Sequence, residues 1–160
     1  MSFWPEASYS ANNRGCILGT DLTNSAYDPL TLDISYFKAA GLPRKHVTPG
    51  ETLFLEDDAG DCIYIVLSGT INIVTFGREL EDVGPGGVIG EIALIDDGLR
   101  SASAIAAEQS EVLVVDRDAF RELVRDKPQF ALDVMRIMAG RVRQSTPEGK
   151  KLSPNWSPDQ

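Results

Sequence analysis

The sequence predicts a mainly β fold with additional α-helices: an antiparallel β-barrel or jelly roll followed by two C-terminal helices. Two observations lead to this fold class. Between about residues 44 and 116, short runs rich in β-branched residues alternate with turn-forming residues, which favours an antiparallel sandwich or barrel. After residue 116 the spacing of apolar residues changes to that of a helix.

A short helix is expected ahead of the barrel, over residues 32–41, because Ile34, Phe37 and Ala40 recur at helical spacing before a closing glycine. Eight short strands should follow it. They are the segments RKHVT, ETLFL, CIYIVL, TINIVTF, RELEDV, GVI, SASAIAA and SEVLVVD. Turn-forming sequences, among them DDAGD and GPGG, separate these strands from one another.

The third and fourth strands show two different hydrophobic patterns. CIYIVL is apolar almost throughout, which is typical of a strand covered on both faces. In TINIVTF, by contrast, apolar and polar residues alternate and put Ile71 and Ile73 on one face. We therefore expect the third strand to lie at the centre of the domain.

Two helices are expected after the barrel. Asp116 or Asp118 can cap the first helix, and Pro128 suits the first turn of the second. The apolar stripe of the first consists of Ala119, Phe120, Leu123 and Val124, and that of the second of Phe130, Ala131, Val134, Met135, Met138 and Val142. Packing against the barrel is the expected role of the second stripe, and a homodimer seam is the alternative.

The layout that follows has three parts. Residues 1–30 form a poorly ordered N-terminal arm, since they are rich in Ser, Asn, Gly and Asp without any period. Residues 31–144 form the domain, with the barrel at about 44–116 and the helices at about 117–144. Residues 145–160 contain three prolines and form a disordered tail.

Composition excludes several classes of function. The chain has 160 residues and a net charge of −9, which argues against a nucleic-acid partner and against binding to anionic membranes. It has no apolar run of the roughly 20 residues that a membrane helix needs, and no secretory signal at its start. With only two cysteines, Cys16 and Cys62, we expect a reduced, cytoplasmic protein. Many small β-barrel enzymes hold a metal through several histidines, whereas this chain has only one, His46, so no metal or cofactor is expected.

One segment, GEIALIDDGLRSASA at residues 90–104, combines features of an anion site. Gly90 lets backbone approach a ligand closely, and the N–H groups of the turn that follows are unpaired. Arg100 supplies a guanidinium that suits phosphate, Ser101 can add a hydroxyl, and Ala102 leaves space. Residue types alone leave two alternatives open, in which Arg100 pairs with Glu91 or with the nearby Asp96 and Asp97.

The whole pattern resembles the cyclic nucleotide-binding domain family over about residues 45–144. The most specific part is that family's phosphate-binding cassette, a Gly-Glu-hydrophobic-Ala-hydrophobic run followed after a short turn by Arg, a small residue and Ala. Here the cassette reads Gly90-Glu91-Ile92-Ala93-Leu94 and then Arg100-Ser101-Ala102. The resemblance implies that Glu91 binds the ribose 2′-hydroxyl, that Arg100 binds the cyclic phosphate and that Ser101 supports the phosphate.

The same resemblance implies further site residues outside the cassette. Apolar side chains line the pocket at Ile73, Leu80 and Val83. At the end of the last helix, MAGRVRQST resembles the family's Met-Ala-x-Arg stretch, so Arg141 lies near the ligand or pairs with Glu91, and Ser145 or Thr146 reaches the purine. An equally good interpretation makes Arg141 an exposed residue at the C-terminus of its helix.

These observations predict a non-enzymatic sensor of a 3′,5′-cyclic nucleotide, with cyclic AMP favoured and cyclic GMP as the second candidate, because a hydroxyl at position 101 does not settle the base. Ligand capture would move the C-terminal helices and so act on an unknown downstream protein. The alternative is a degenerate domain that acts as an interaction module without nucleotide. A DNA-binding regulator is not expected, because residues 145–160 leave no room for a recognition helix.

Overall fold

The computed structural model describes residues 31–145, in which eight strands form two four-stranded antiparallel sheets accompanied by four helices. The helices are α1 (Ile34–Ala39), α2 (Glu91–Asp96), α3 (Arg117–Asp126) and α4 (Gln129–Ser145). The strands are β1 (Arg44–Val47), β2 (Thr52–Phe54), β3 (Cys62–Ser68), β4 (Ile71–Thr75), β5 (Arg78–Val83), β6 (Val88–Ile89), β7 (Ser103–Ala106) and β8 (Ser110–Asp116). The predicted fold class is confirmed, whereas the predicted arm at 1–30 and all but the first residue of the predicted tail lie outside the described residues.

The strand order is that of a jelly roll. One sheet has the order β1-β8-β3-β6 and the other the order β2-β7-β4-β5, and every neighbouring pair is antiparallel. The chain crosses repeatedly between the two sheets, so they close around a common interior. α2 lies between β6 and β7 in the chain, and it therefore sits where the chain passes from one sheet to the other.

Strand β3 is buried on both faces, as its sequence predicts. Cys62, Tyr64 and Val66 pack inside the barrel, together with apolar residues of the opposite sheet such as Ile71 and Ala104. The alternate residues Ile63, Ile65 and Leu67 pack instead against the helices. Burying a side chain of this size contributes roughly 1.5–3 kcal/mol, so one strand ties the barrel and the helical layer into one core.

The helical layer centres on a cluster of three phenylalanine rings. Phe130 of α4 lies 5.4 Å from Phe37 of α1 and 5.2 Å from Phe120 of α3, both measured between ring centroids and both at tilted angles. Such tilted pairs add attraction beyond the burial of area alone. Helices α1, α3 and α4 are thereby held against the outer face of the sheet that contains β3.

The start of α3 resolves the choice of cap that the sequence leaves open. The Asp116 carboxylate accepts a hydrogen bond of 2.8 Å from the Ala119 backbone N–H, as expected of an N-cap residue. Asp118 instead lies in the first turn and pairs with Arg121. Pro128 directly precedes α4, and its carbonyl accepts from the Ala131 N–H at 3.2 Å.

The buried face of α4 differs in part from the predicted stripe. Phe130, Val134 and the unpredicted Ile137 are buried, and Met138 packs partly against them. The predicted members Met135 and Val142 are mainly exposed. None of the helices in the described part of the chain is long and apolar enough to span a membrane.

Candidate functional site

A cavity of about 550 Å³ lies between the predicted cassette, strands β4 and β5, and the C-terminal half of α4. Its volume falls within the range of about 300–1,000 Å³ typical of small-molecule sites. Eleven of the twelve predicted site residues line it: Gly90, Glu91, Ile92, Ala93, Arg100, Ser101 and Ala102 from the cassette, Ile73 and Leu80 from the strands, and Arg141 and Ser145 from α4. The structure therefore brings together residues that are up to 72 positions apart in the sequence.

The twelfth residue, Val83, does not line the cavity. It packs in the barrel interior with Ile71, against the backbone of Gly87, and is almost fully buried. Leu80 and Val83 are three positions apart in one strand, and residues at that separation point to opposite faces of a regular strand. Thr146, the second residue suggested for the purine, lies outside the described residues.

Gly90 starts α2 in a backbone conformation that favours glycine. Its φ is +82°, in the left-handed region, and it occupies the N-cap position without a side-chain cap. A Cβ atom built at this position would collide with Nη1 of Arg100 and lie 3.4 Å from the Phe54 ring. Glycine is therefore required here for two reasons: the left-handed backbone conformation, and the close approach of Arg100 to the Cα atom.

We expect Gly90→Ala to lower the free energy of unfolding by about 2 kcal/mol, because an alanine is strained at positive φ and Arg100 must also shift. Gly41→Ala is the matched control, since Gly41 also has positive φ but nothing lies within 4 Å of its Cβ position. That control should lose only about 1 kcal/mol. Urea denaturation of both variants measures the difference, and equal losses would show that Arg100 does not constrain position 90.

Arg100 is a buried cation whose hydrogen bonds are all to neutral groups. Its side chain is held by two backbone carbonyls, with Nη1 donating to Gly90 at 2.9 Å and Nη2 donating to Cys62 at 2.8 Å. The residue is only 3% exposed, it forms no salt bridge with any carboxylate of residues 31–145, and Nε has no hydrogen-bond partner there. Both alternatives from the sequence, pairing with Glu91 or with Asp96 and Asp97, are absent from this arrangement.

The position of Arg100 depends on segments that are distant in the sequence. Its backbone N–H donates to the Asp58 carbonyl at 2.8 Å, and its own carbonyl accepts from Asp57 at 2.9 Å. A Cβ at Gly60 would lie 2.9 Å from Nε, so this glycine leaves room for the guanidinium. The loop between β2 and β3 therefore holds the arginine against the barrel. An unneutralised guanidinium in a cavity wall is suited to an anionic ligand.

Glu91 pairs with the last helix. Arg141 of α4 donates from Nη1 to Glu91 Oε1 at 2.7 Å, from Nε to Glu81 Oε2 at 2.8 Å and from Nη2 to the Val88 carbonyl at 2.7 Å. The Glu91 side chain is 5% exposed and that of Arg141 is 21% exposed. Of the interpretations offered for Arg141, the structure shows the pairing with Glu91 and not the exposed helix terminus.

Burial alone would lower the pKa of Arg141, but the negative charges of Glu91 and Glu81 outweigh it and raise the pKa above its ordinary value. Arg141 therefore stays charged at any pH at which the protein is folded. The charges around the cavity are thus unevenly distributed: a single cation at Arg100, and a group of two carboxylates and one cation at the α4 side.

Ser145, the last described residue, also lines the cavity, and its hydroxyl donates to the Val142 carbonyl at 2.9 Å. Several lining residues are not predicted from the sequence as part of the site: Phe54, Glu81, Ile89, Met138 and Gln144. Phe54 and Glu81 in particular have no local signal, because their role arises from contacts with Arg100 and Arg141 that lie far away in the chain. No group of three or more potential metal ligands occurs within residues 31–145.

The chain belongs to the cyclic nucleotide-binding domain family, whose sequence model matches residues 44–127. The matched residues include the strands, the cassette and α3. Similar proteins occur in bacteria and in fungi, and the fold described above agrees with membership of this family.

Among known proteins, the chain is similar to the cyclic AMP receptor protein of Thermus thermophilus, with 33% identity over 133 residues, which are 80% of this chain and 59% of that protein. The crystal structure of the Thermus thermophilus catabolite activator protein matches with a TM-score of 0.63 and 32% identity, over 73% of this chain and 59% of that one. A structure from work on a cyclic-GMP-dependent signalling pathway that regulates bacterial phytopathogenesis matches with a TM-score of 0.61 and 29% identity, over 72% and 98%. The chain therefore spans less than two thirds of the length of the Thermus relative.

Proposed function

We propose that this chain is a non-enzymatic sensor that binds a 3′,5′-cyclic nucleotide in the cassette cavity and responds by repositioning its C-terminal helices. The observation that carries the proposal is Arg100, a buried guanidinium without a carboxylate partner in residues 31–145, on the wall of a cavity of ligand size. A cation kept in this state is energetically unfavourable unless an anion joins it. The phosphate of a cyclic nucleotide supplies one negative charge and two free oxygens.

The remaining wall of the cavity suits the rest of such a ligand. Glu91 offers a carboxylate that can accept a hydrogen bond from a ribose hydroxyl, a neutral donor that does not repel it. Apolar side chains of Ile73, Leu80 and Met138 can cover the flat faces of a base. The anionic phosphate is thus matched to the cation of Arg100, and a neutral hydroxyl of the same small molecule is matched to the carboxylate of Glu91.

The contact between Glu91 and Arg141 provides a route from ligand to helix. Arg141 belongs to α4, whereas Glu91 belongs to α2 at the cassette, and the two side chains join at 2.7 Å. A ribose hydroxyl at Glu91 would change the partners of Arg141 and with them the preferred position of the C-terminal end of α4. A ligand acts as a switch when its affinity differs between two such positions.

Cyclic AMP is the proposed ligand, with cyclic GMP as the competitor to test. The Thermus relative is named for cyclic AMP, while the phytopathogenesis structure is named for a cyclic-GMP-dependent pathway, and Ser101 supports either base. The output would be passed to a downstream protein in the cytoplasm. The exposed face of α4, which carries Leu132 and Met135, is available for that contact or for a homodimer.

Hydrogen exchange of the backbone amides tests this switch. Saturating cyclic AMP should slow exchange in α2 and change exchange in the C-terminal half of α4, because the ligand contacts the first and alters the anchoring of the second. The control ligand is 5′-AMP, which has the same base and sugar but a dianionic, non-cyclic phosphate. If neither cyclic AMP nor cyclic GMP alters the exchange of backbone amides anywhere in the domain, the proposal is contradicted. That result would favour an interaction module without nucleotide.

A further inference from the structure

We infer that Phe54 is a positioning residue for Arg100, one that holds the guanidinium in place for an anionic ligand without pairing it with a negative charge. The inference rests on the proposed function, since it concerns how that site binds phosphate. Phe54 is the last residue of β2 and lines the cavity. The Arg100 Cζ atom lies 4.2 Å from the centroid of its ring.

This contact has the geometry of a cation–π interaction, which extends to about 6 Å from the ring centroid. Its strength depends on solvent, because water screens the attraction between a cation and the face of a ring. Arg100 is 3% exposed, so the contact lies in a desolvated environment where such interactions are strongest. Phe54 is therefore a substantial source of stabilisation for this buried charge.

The ring of Phe54 is itself held in place. It stacks on Tyr64 of β3, with ring centroids 5.9 Å apart and an interplanar angle of 23°. Tyr64 is buried in the barrel interior, and the backbone of Phe54 pairs with the small residue Ala104 of β7. Arg100, Phe54 and Tyr64 thus form one layered arrangement that starts in the cavity wall and ends in the core.

The chemical character of these partners explains why the arrangement suits a binding site. A carboxylate could hold Arg100 equally firmly, but it would neutralise the charge and compete with a ligand phosphate. The Phe54 ring and the carbonyls of Gly90 and Cys62 orient the guanidinium without supplying a negative charge. The carbonyls occupy one donor each on Nη1 and Nη2, and no carboxylate of residues 31–145 takes up the other N–H groups of the five donors.

The test compares variants of Phe54 in calorimetric titrations with cyclic AMP and cyclic GMP. Phe54→Leu keeps an apolar side chain and removes the ring, and it should weaken binding about five- to tenfold. Phe54→Tyr keeps the ring and should lose clearly less affinity than Phe54→Leu. The matched control is Phe76→Leu, the same substitution at a ring that is exposed on the hairpin between β4 and β5, which should bind like the unchanged chain.

A double-mutant cycle separates positioning from a general structural effect. If Phe54 acts through Arg100, then Phe54→Leu adds less than a twofold loss when Arg100→Gln is already present. Phe54→Met repeats the test with another apolar side chain if the leucine variant does not fold, and circular dichroism checks each fold. Unaltered affinity in both ring-less variants, or an undiminished loss in the Arg100→Gln background, overturns the inference and leaves the proposed function standing. Absence of binding by the unchanged chain overturns both.

Discussion

Arg100→Gln should weaken cyclic nucleotide binding by at least about thirtyfold, or roughly 2 kcal/mol, which is what a charged hydrogen-bond partner contributes. Glutamine keeps a polar, hydrogen-bonding side chain but removes the charge that the phosphate requires. Calorimetry with cyclic AMP measures the loss directly. The barrel itself should remain folded, because Arg100 forms no ion pair within residues 31–145 whose loss would leave a carboxylate unpaired.

The control for this variant is Arg121→Gln, which makes the same change in charge on the exposed face of α3. Among the residues that the structure describes, Arg121 pairs only with Asp118 of the same helix, and both side chains are largely exposed. Its affinity for ligand should therefore match that of the unchanged chain. Equal affinity in the Arg100 and Arg121 variants would show that the guanidinium of Arg100 does not meet the ligand.

Arg141→Gln is expected to have the largest effect on stability, a loss of about 3 kcal/mol in the free energy of unfolding. Removing one partner of a buried ion pair leaves an uncompensated charge, and here the Glu91 side chain is 5% exposed. The value lies at the lower end for such pairs because Arg141 and Glu81 retain some contact with solvent. Urea denaturation followed by circular dichroism measures the change.

Two further variants make this prediction specific to the ion pair. Arg136→Gln changes an exposed arginine of the same helix, paired with Asp133, and should cost less than about 0.5 kcal/mol. Adding Glu91→Gln to Arg141→Gln should recover part of the loss, because the stranded carboxylate is removed along with its partner. A double variant that is less stable than Arg141→Gln alone would contradict this account of the contact.

Short β-branched runs separated by turn residues were sufficient to predict the strands, but the apolar stripe predicted for α4 differs from the face that the structure buries. A helix turns by about 100° per residue, so Met135 lies about 140° from Phe130 around the axis, whereas Ile137 lies within about 20° of it. The predicted stripe included Met135 and omitted Ile137, and the structure buries Ile137 and exposes Met135. Stricter use of the helical period would have predicted the observed face.

The cassette was recognisable because its residues are close together in sequence and each type has a specific chemical role. The residues that hold Arg100 were not, since Phe54 precedes it by 46 positions and contributes through the face of its ring. Glu81 is similarly invisible in the acidic strand RELEDV, because only the fold places it beside Arg141. Local chemistry thus predicted most of the residues that line the cavity, and long-range packing decided how they are held.

The most direct test of the central claim is a calorimetric titration of the unchanged chain with cyclic AMP, run beside cyclic GMP and 5′-AMP. We expect saturable binding of a cyclic nucleotide with one molecule per cavity, and weaker binding of 5′-AMP, whose larger, doubly charged phosphate does not match one guanidinium between two carbonyls. The absence of binding by both cyclic nucleotides would contradict this expectation. Binding of 5′-AMP that is as tight as that of cyclic AMP and cyclic GMP would contradict it as well.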